Sequence, residues 1–197
     1  MKKNSQVSET IAIIGAQCVG KTQLSTKLSN YLRTNGINVG MIGEVARDCP
    51  DPINEDASVE AQDWILDHQI QKEMELKPRH HVIITDRGVI DNFVYWKRAA
   101  VKSNLEENVI KQKEQEIFDY SQSYSLFFFI QPFEIEEIED DNFRSIDPEW
   151  RNEMHESISQ ILIKFQNLYD VPVFTLSGSE KEVFKQAKKI LKDHLSV

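Results

Sequence analysis

The chain has 197 residues, 40% hydrophobic and 28% charged, a balance that suits one globular domain with a real core. Its formal net charge of −9 excludes a protein that coats nucleic-acid backbone, which needs a basic surface, but leaves room for a small anionic ligand in a locally basic cleft. Cys18 and Cys49 are too few for a disulfide framework or a zinc site, Met1 to Thr10 lacks a signal peptide's apolar core, and no apolar run could span a membrane, so a soluble cytoplasmic protein is expected.

Ile11 to Ile14 is a short, β-branched apolar run suited to a central parallel strand. It leads into Gly15-Ala16-Gln17-Cys18-Val19-Gly20-Lys21-Thr22, which fits G-x-x-x-x-G-K-[ST], the phosphate-cradling loop of nucleotide-binding proteins. Leu24, Leu28, Tyr31 and Leu32 then recur at helical spacing, and Asn35-Gly36 stops the helix. Strand, loop and helix together give the motif the context it requires. Backbone N–H groups and a helix N-terminus meet the charge of a triphosphate, and Gly15 and Gly20 allow the close approach a Cβ would forbid. Lys21 can reach the β- and γ-phosphates, and the Thr22 hydroxyl can bind the magnesium that bridges them. The expected cofactors are ATP and Mg2+.

The rest of the chain alternates strand and helix, the pattern of a parallel sheet covered on both faces. Val39 to Glu44 reads as a second strand, Cys49 to Asp56 as a loop, and Ala57 to Leu76 as a helix ended by Pro78. That helix places Ala61, Ile65, Leu66, Gln69, Ile70 and Met74 on one side. Val82 to Asp86 is a third strand, followed by helices over Gly88 to Ala100 and Leu105 to Tyr120, the latter with Leu105, Val109, Ile117 and Phe118 inward. Ser125 to Ile130 is a fourth strand. The run from Pro132 to Ile146 is acidic and breaks the pattern. Asp147-Pro148 starts a helix whose apolar stripe runs from Trp150 to Leu168. Val171 to Leu176 is a fifth strand, and Ser179 and Glu182 form a capping box for a last helix. No linker or repeat divides the chain, so one domain is expected to span residues 1–197.

In such a sheet, ligands bind beyond the carboxyl ends of the strands. There the second strand delivers Glu44, with Arg47 close behind, and the third delivers Asp86-Arg87, with Asp91 just beyond. Asp86 suits a magnesium-holding strand end, or alternatively the cap of the next helix. Arg87 offers a forked donor to phosphate or acceptor, or a structural pair with Glu44 or Asp91. Transfer to a hydroxyl releases a proton, so Glu44 is a candidate base; its alternative role is to orient Arg47 or Arg87. Glu44, Arg47, Arg87 and Asp91 form the candidate acceptor side. Arg144 and Arg151 flank the acidic run, where a lid over about residues 133–151 could bring them to the transferring phosphate or leave Arg151 on the surface. His80-His81 lacks partners at metal-ligand spacing, His68 and His155 read as surface or interface residues, and Trp64, Trp96 and Trp150 as core. Tyr95 and Trp96 are placed to line a ring-binding pocket.

These motifs resemble P-loop kinases of the nucleoside and nucleotide type, and more narrowly the AAA-domain family that includes the ribosylnicotinamide kinase domain. The resemblance rests on Gly15 to Thr22, Gly43 to Arg47, Thr85 to Gly88 with Asp91, Phe143 to Ser145, Glu149 to Arg151 and Leu176 to Ser179, in the family's order. It implies a three-layer P-loop sandwich with a five-stranded parallel sheet in the order 2-3-1-4-5 and a lid after strand four. It also implies that Ser177 and Gly178 lie beside the adenine. The lid here departs from the family in its acidity and its few arginines. The function expected is ATP- and magnesium-dependent phosphoryl transfer to a nucleoside-like hydroxyl. A thymidylate-type monophosphate kinase, with Arg47 and Arg87 holding the acceptor phosphate, and a regulatory ATPase without a small acceptor are the alternatives. The expected partner is a small nucleoside or nucleotide, with no nucleic acid or membrane and with room for a homodimer.

Overall fold

The computed structural model describes residues 8–132 and 147–195. Strands β1 (Glu9–Ile14), β2 (Val39–Ile42), β3 (Val82–Asp86), β4 (Leu126–Ile130) and β5 (Val173–Leu176) form one parallel sheet in the order β2-β3-β1-β4-β5, as the resemblance implied. Helices α1 (Lys21–Thr34), α2 (Val59–Leu76), α3 (Val89–Lys102), α4 (Glu107–Ser121), α5 (Pro148–Gln166) and α6 (Glu180–Leu195) cover it. β1, β3 and β4 are apolar on both faces because helices cover both, the usual state of a parallel strand. The register brings the central strand ends to one level: Ile13 lies beside Asp86, and Ile14 beside Phe129.

Several boundaries follow from the cap residues read in the sequence. Asp147 accepts from the Glu149 N–H at the start of α5, and Gly36 ends the α1 turn at φ 81°. Glu182 reaches back to the Ser179 N–H and hydroxyl ahead of α6. Other expectations are corrected. α2 starts at Val59 rather than Ala57, because Ser58, not read as a cap, accepts from the Ala61 N–H. β2 stops at Ile42, because Glu44 turns into a 3-10 helix, Val45–Asp48, closed by the Arg47 N–H on the Glu44 carbonyl. Met74, Val109 and Leu168, placed on apolar stripes by periodicity, are exposed, whereas Glu73 is fully buried. Trp96 and Trp150 join the core, but Trp64 is only half-buried and stacks on His68 at 3.7 Å. His155 is half-buried against Phe129. Among the described residues, no helix is long and apolar enough to cross a membrane.

Candidate functional site

The loop between β1 and α1 is shaped by three residues of positive φ. Gly15 has φ 148°, and a Cβ there would sit 3.0 Å from the Ile130 carbonyl of β4. Gly20, at φ 83°, caps α1, and Cys18 adopts φ 58°. Lys21 folds back over the loop, donating to the carbonyls of Gly15 (3.0 Å) and Ala16 (2.6 Å). Burial lowers its pKa to about 8, and Arg87 adds to that. Asp86, Glu44 and Asp91 pull the other way.

Asp86 lies beside this loop because β3 pairs directly with β1. The Thr22 hydroxyl donates to Asp86 Oδ2 at 2.5 Å, and Asp86 Oδ1 is buried without a hydrogen-bond partner among the described residues. Asp86 does not cap α3; Gly88 takes that position, and Asp91 Oδ1 accepts the Gly88 N–H at 2.7 Å.

The acceptor-side residues come together as an ion cluster. Arg87 Nε donates to Glu44 Oε1 at 2.9 Å and Nη1 to Asp91 Oδ2 at 3.3 Å, with the guanidinium 4.9 Å from the Tyr95 ring centroid. The other Glu44 oxygen, Oε2, accepts from Arg47 Nε at 3.2 Å. Both pairings read as alternatives in the sequence are therefore present. Burial opposes the charge on Arg87, but Tyr95, Glu44 and Asp91 outweigh it and keep the group protonated. Burial pushes the Asp91 carboxyl up, against Arg87 and Lys21. Tyr95 donates to Gln17 Oε1 at 3.2 Å, tying this cluster to the loop.

A crevice opens at the cluster, lined by Gln17, Glu44, Gln62, Arg87, Asn92 and Tyr95 among others, with a free volume of about 30 Å3. Gln62 and Asn92 are buried amides that sequence reasoning missed. The signal available for Gln62 was a glutamine standing within the apolar stripe of α2; Asn92 offered none beyond its place after Asp91. Trp96, by contrast, lies away from the crevice in the core and donates to Asp63. A larger cavity, about 630 Å3, lies between α3, α4 and α5, where Lys164 and Lys97 are matched by Glu114, and Arg98 by Glu153.

The remaining candidates sit apart from this cluster. Ser177 and Gly178 form the β5–α6 turn, braced by Gln186 Nε2 on the Ser177 carbonyl at 2.8 Å. The next residue but one, Glu180, pairs with Lys27 of α1 at 2.6 Å, at the rim of a small apolar crevice shared with Val19 and Gly20. Arg151 is in the first turn of α5, where its Nε and Nη1 are buried without an acceptor among the described residues. Arg144 and residues 133–146 of the expected lid lie outside the described residues.

A family model described as an AAA domain matches residues 10–182. The chain belongs to the AAA domain family. Among solved structures, the fold of this family member is similar to the NadR protein in complex with NAD and AMP-PNP (TM-score 0.73, 18% identity, 98% of this chain and 51% of that one). It is also similar to the NadR protein in complex with NR (0.71, 21% identity, 98% and 53%). The deoxyadenosine kinase from M. mycoides with bound dCTP shares the fold too (0.58, 16% identity, 93% and 99%). The chain thus spans about half the length of the NadR structures and nearly all of the deoxyadenosine kinase. No curated protein matches the sequence.

Proposed function

We propose that this AAA-domain protein is a cytoplasmic kinase that transfers the γ-phosphoryl group of ATP to a hydroxyl of a nucleoside-like acceptor. The observation that carries this reading is the Glu44 carboxylate, its side chain 5% exposed, held by Arg87 at the mouth of a crevice beside the Lys21–Thr22 loop. A nucleotide loop needs no buried glutamate on its acceptor side; a hydroxyl acceptor, which must lose a proton, does. The solved kinases and nucleotide complexes with the same fold lend support.

Residues 15–22 would cradle the triphosphate, with Lys21 released from its own loop carbonyls onto the β- and γ-phosphates. The hydroxyl of Thr22 and the carboxylate of Asp86 are the hard-oxygen donors that magnesium favours, and the unpartnered Asp86 Oδ1 leaves coordinating capacity there. Bound there, Mg2+ would neutralise charge on the phosphates. Arg87 would hold Glu44 aimed at the acceptor, and Glu44 would take the hydroxyl proton during transfer. Asn92 and Gln62 would bind the acceptor's polar edge, with Tyr95 against its ring. Arg151, with two unmatched donors, and Arg144 would meet charge developing on the transferred group. Ser177 and Gly178 would border the adenine. Arg87 is committed to two carboxylates, which disfavours the monophosphate-kinase reading, in which it would hold an acceptor phosphate.

An ATP-consumption screen over nucleosides, pyridine ribosides and monophosphates tests this. One hydroxyl acceptor should raise turnover well above the basal rate, and Glu44→Gln should cut that rate by roughly 10²- to 10⁴-fold, the usual worth of a general base. If no acceptor stimulates turnover, the kinase reading fails and the regulatory ATPase takes its place.

A further inference from the structure

Glu73 is a fully buried carboxylate on α2 with no place in phosphoryl transfer. Its Oε1 accepts from Gln69 Nε2 and from the Tyr124 hydroxyl, each at 2.7 Å, and its Oε2 accepts from the Tyr120 hydroxyl at 2.9 Å. Two of these partners lead onward. Gln69 Nε2 also donates to Thr85 Oγ1 at 2.7 Å, and the Thr85 hydroxyl donates to the Arg87 carbonyl at 2.8 Å. The Tyr124 oxygen, having given its proton to Glu73, accepts the Val89 N–H at 3.1 Å. Both arms therefore end on one backbone turn, the first on the Arg87 carbonyl and the second on the Val89 N–H.

The turn opens at Arg87, whose φ of 82° lies in the left-handed region. A non-glycine residue held there is strained and persists only where its surroundings over-determine it. The surroundings do so here. The Arg87 N–H is tied to the Ile13 carbonyl at 3.0 Å, its carbonyl to Thr85, the Gly88 N–H to Asp91 and the Val89 N–H to Tyr124. Gln69 Nε2 donates to both Glu73 and Thr85, so the one Thr85 proton is left for the Arg87 carbonyl.

We propose that Glu73, Gln69, Thr85 and Tyr124 form a positioning relay that holds Arg87 in its left-handed conformation and so aims its guanidinium at Glu44 and Asp91. The effect on turnover rests on the kinase reading; the effect on Arg87 itself does not. None of the four lines the crevice. They act through one backbone turn.

Two variants, Thr85→Val and Tyr124→Phe, each cut one arm with little change of volume. In the ligand-free protein both should shift the Arg87 Nε–H resonance and speed exchange of the Val89 or Gly88 amide, and Thr85→Ser should restore the parental spectrum. With the stimulating acceptor, Thr85→Val should lower kcat roughly tenfold while KM for ATP stays within about twofold. In an Arg87→Ala background, the same change should have almost no further effect on kcat, since the relay then has nothing to aim. An equal loss of kcat in both backgrounds, or an unmoved Arg87 resonance, would overturn the relay. If the parent protein shows no acceptor-stimulated turnover, the kinase reading falls alone, and the resonance still decides the relay.

Discussion

Lys21 shows how function and stability pull apart at one side chain. Its pKa stands at about 8 against an ordinary 10.5, chiefly because burial penalises the charge. The unfolded chain therefore holds a proton between those values that the folded chain has lost, so this group's contribution to stability rises with pH through that window. At neutral pH the buried charge costs about 3 kcal/mol, against two hydrogen bonds to Gly15 and Ala16 worth about 1 kcal/mol each. Lys21→Met should accordingly raise Tm at pH 7 by roughly 2–4 °C, with nucleotide binding lost and the gain shrinking above pH 9. Calorimetry at the two pH values checks it, and a lower Tm at pH 7 would show that the loop contacts dominate. The sequence made Lys21 and the loop legible because a motif with fixed spacing carries its own geometry. It could not show Glu73. A period of about 3.6 residues does not choose between neighbouring positions 73 and 74, and the donors that make a buried carboxylate tolerable there include Tyr120 and Tyr124, about fifty residues away in sequence, beside the local Gln69.

At the scale of elements, the strands and helices were legible where composition and caps agreed, as at Asp147 and Ser179. They were not where an element ends for a tertiary reason. Glu44 looked like the tip of a strand, but its carboxylate is drawn to Arg87 of the neighbouring strand's turn, and the backbone folds into Val45–Asp48 to let it. This segment, with Ile53 and Asn54 beyond it, walls the crevice, whose free volume of about 30 Å3 is too small for a nucleoside. Admission of an acceptor should therefore move residues 45–58. Hydrogen exchange with and without the stimulating acceptor should change there and in the α2 N-terminus, while β1 and β3 stay as they were. Unchanged exchange across 45–58 would place the acceptor elsewhere.

At the scale of the whole molecule, the strand order assigns the parts of the site to different depths of the sheet. β1 and β3 are interior strands, each paired on both sides, and they carry the phosphate loop and Asp86. β2 and β5 are edges, and they lead to Glu44 and to Ser177. Edge segments open at lower free energy than central ones, so the site has a built-in order of failure. In rising urea, acceptor-dependent turnover should vanish before nucleotide affinity does, leaving a window in which the protein still grips its nucleotide but has lost the means to pass anything on. Coincident midpoints for the two would mean that the sheet yields as one unit. On the proposed kinase reading, the same layering would let acceptor preference drift at β2 and nucleobase preference at β5 while the loop and Asp86 between them kept their place, with the Glu44–Arg87 pair as the tie from the β2 edge to the centre.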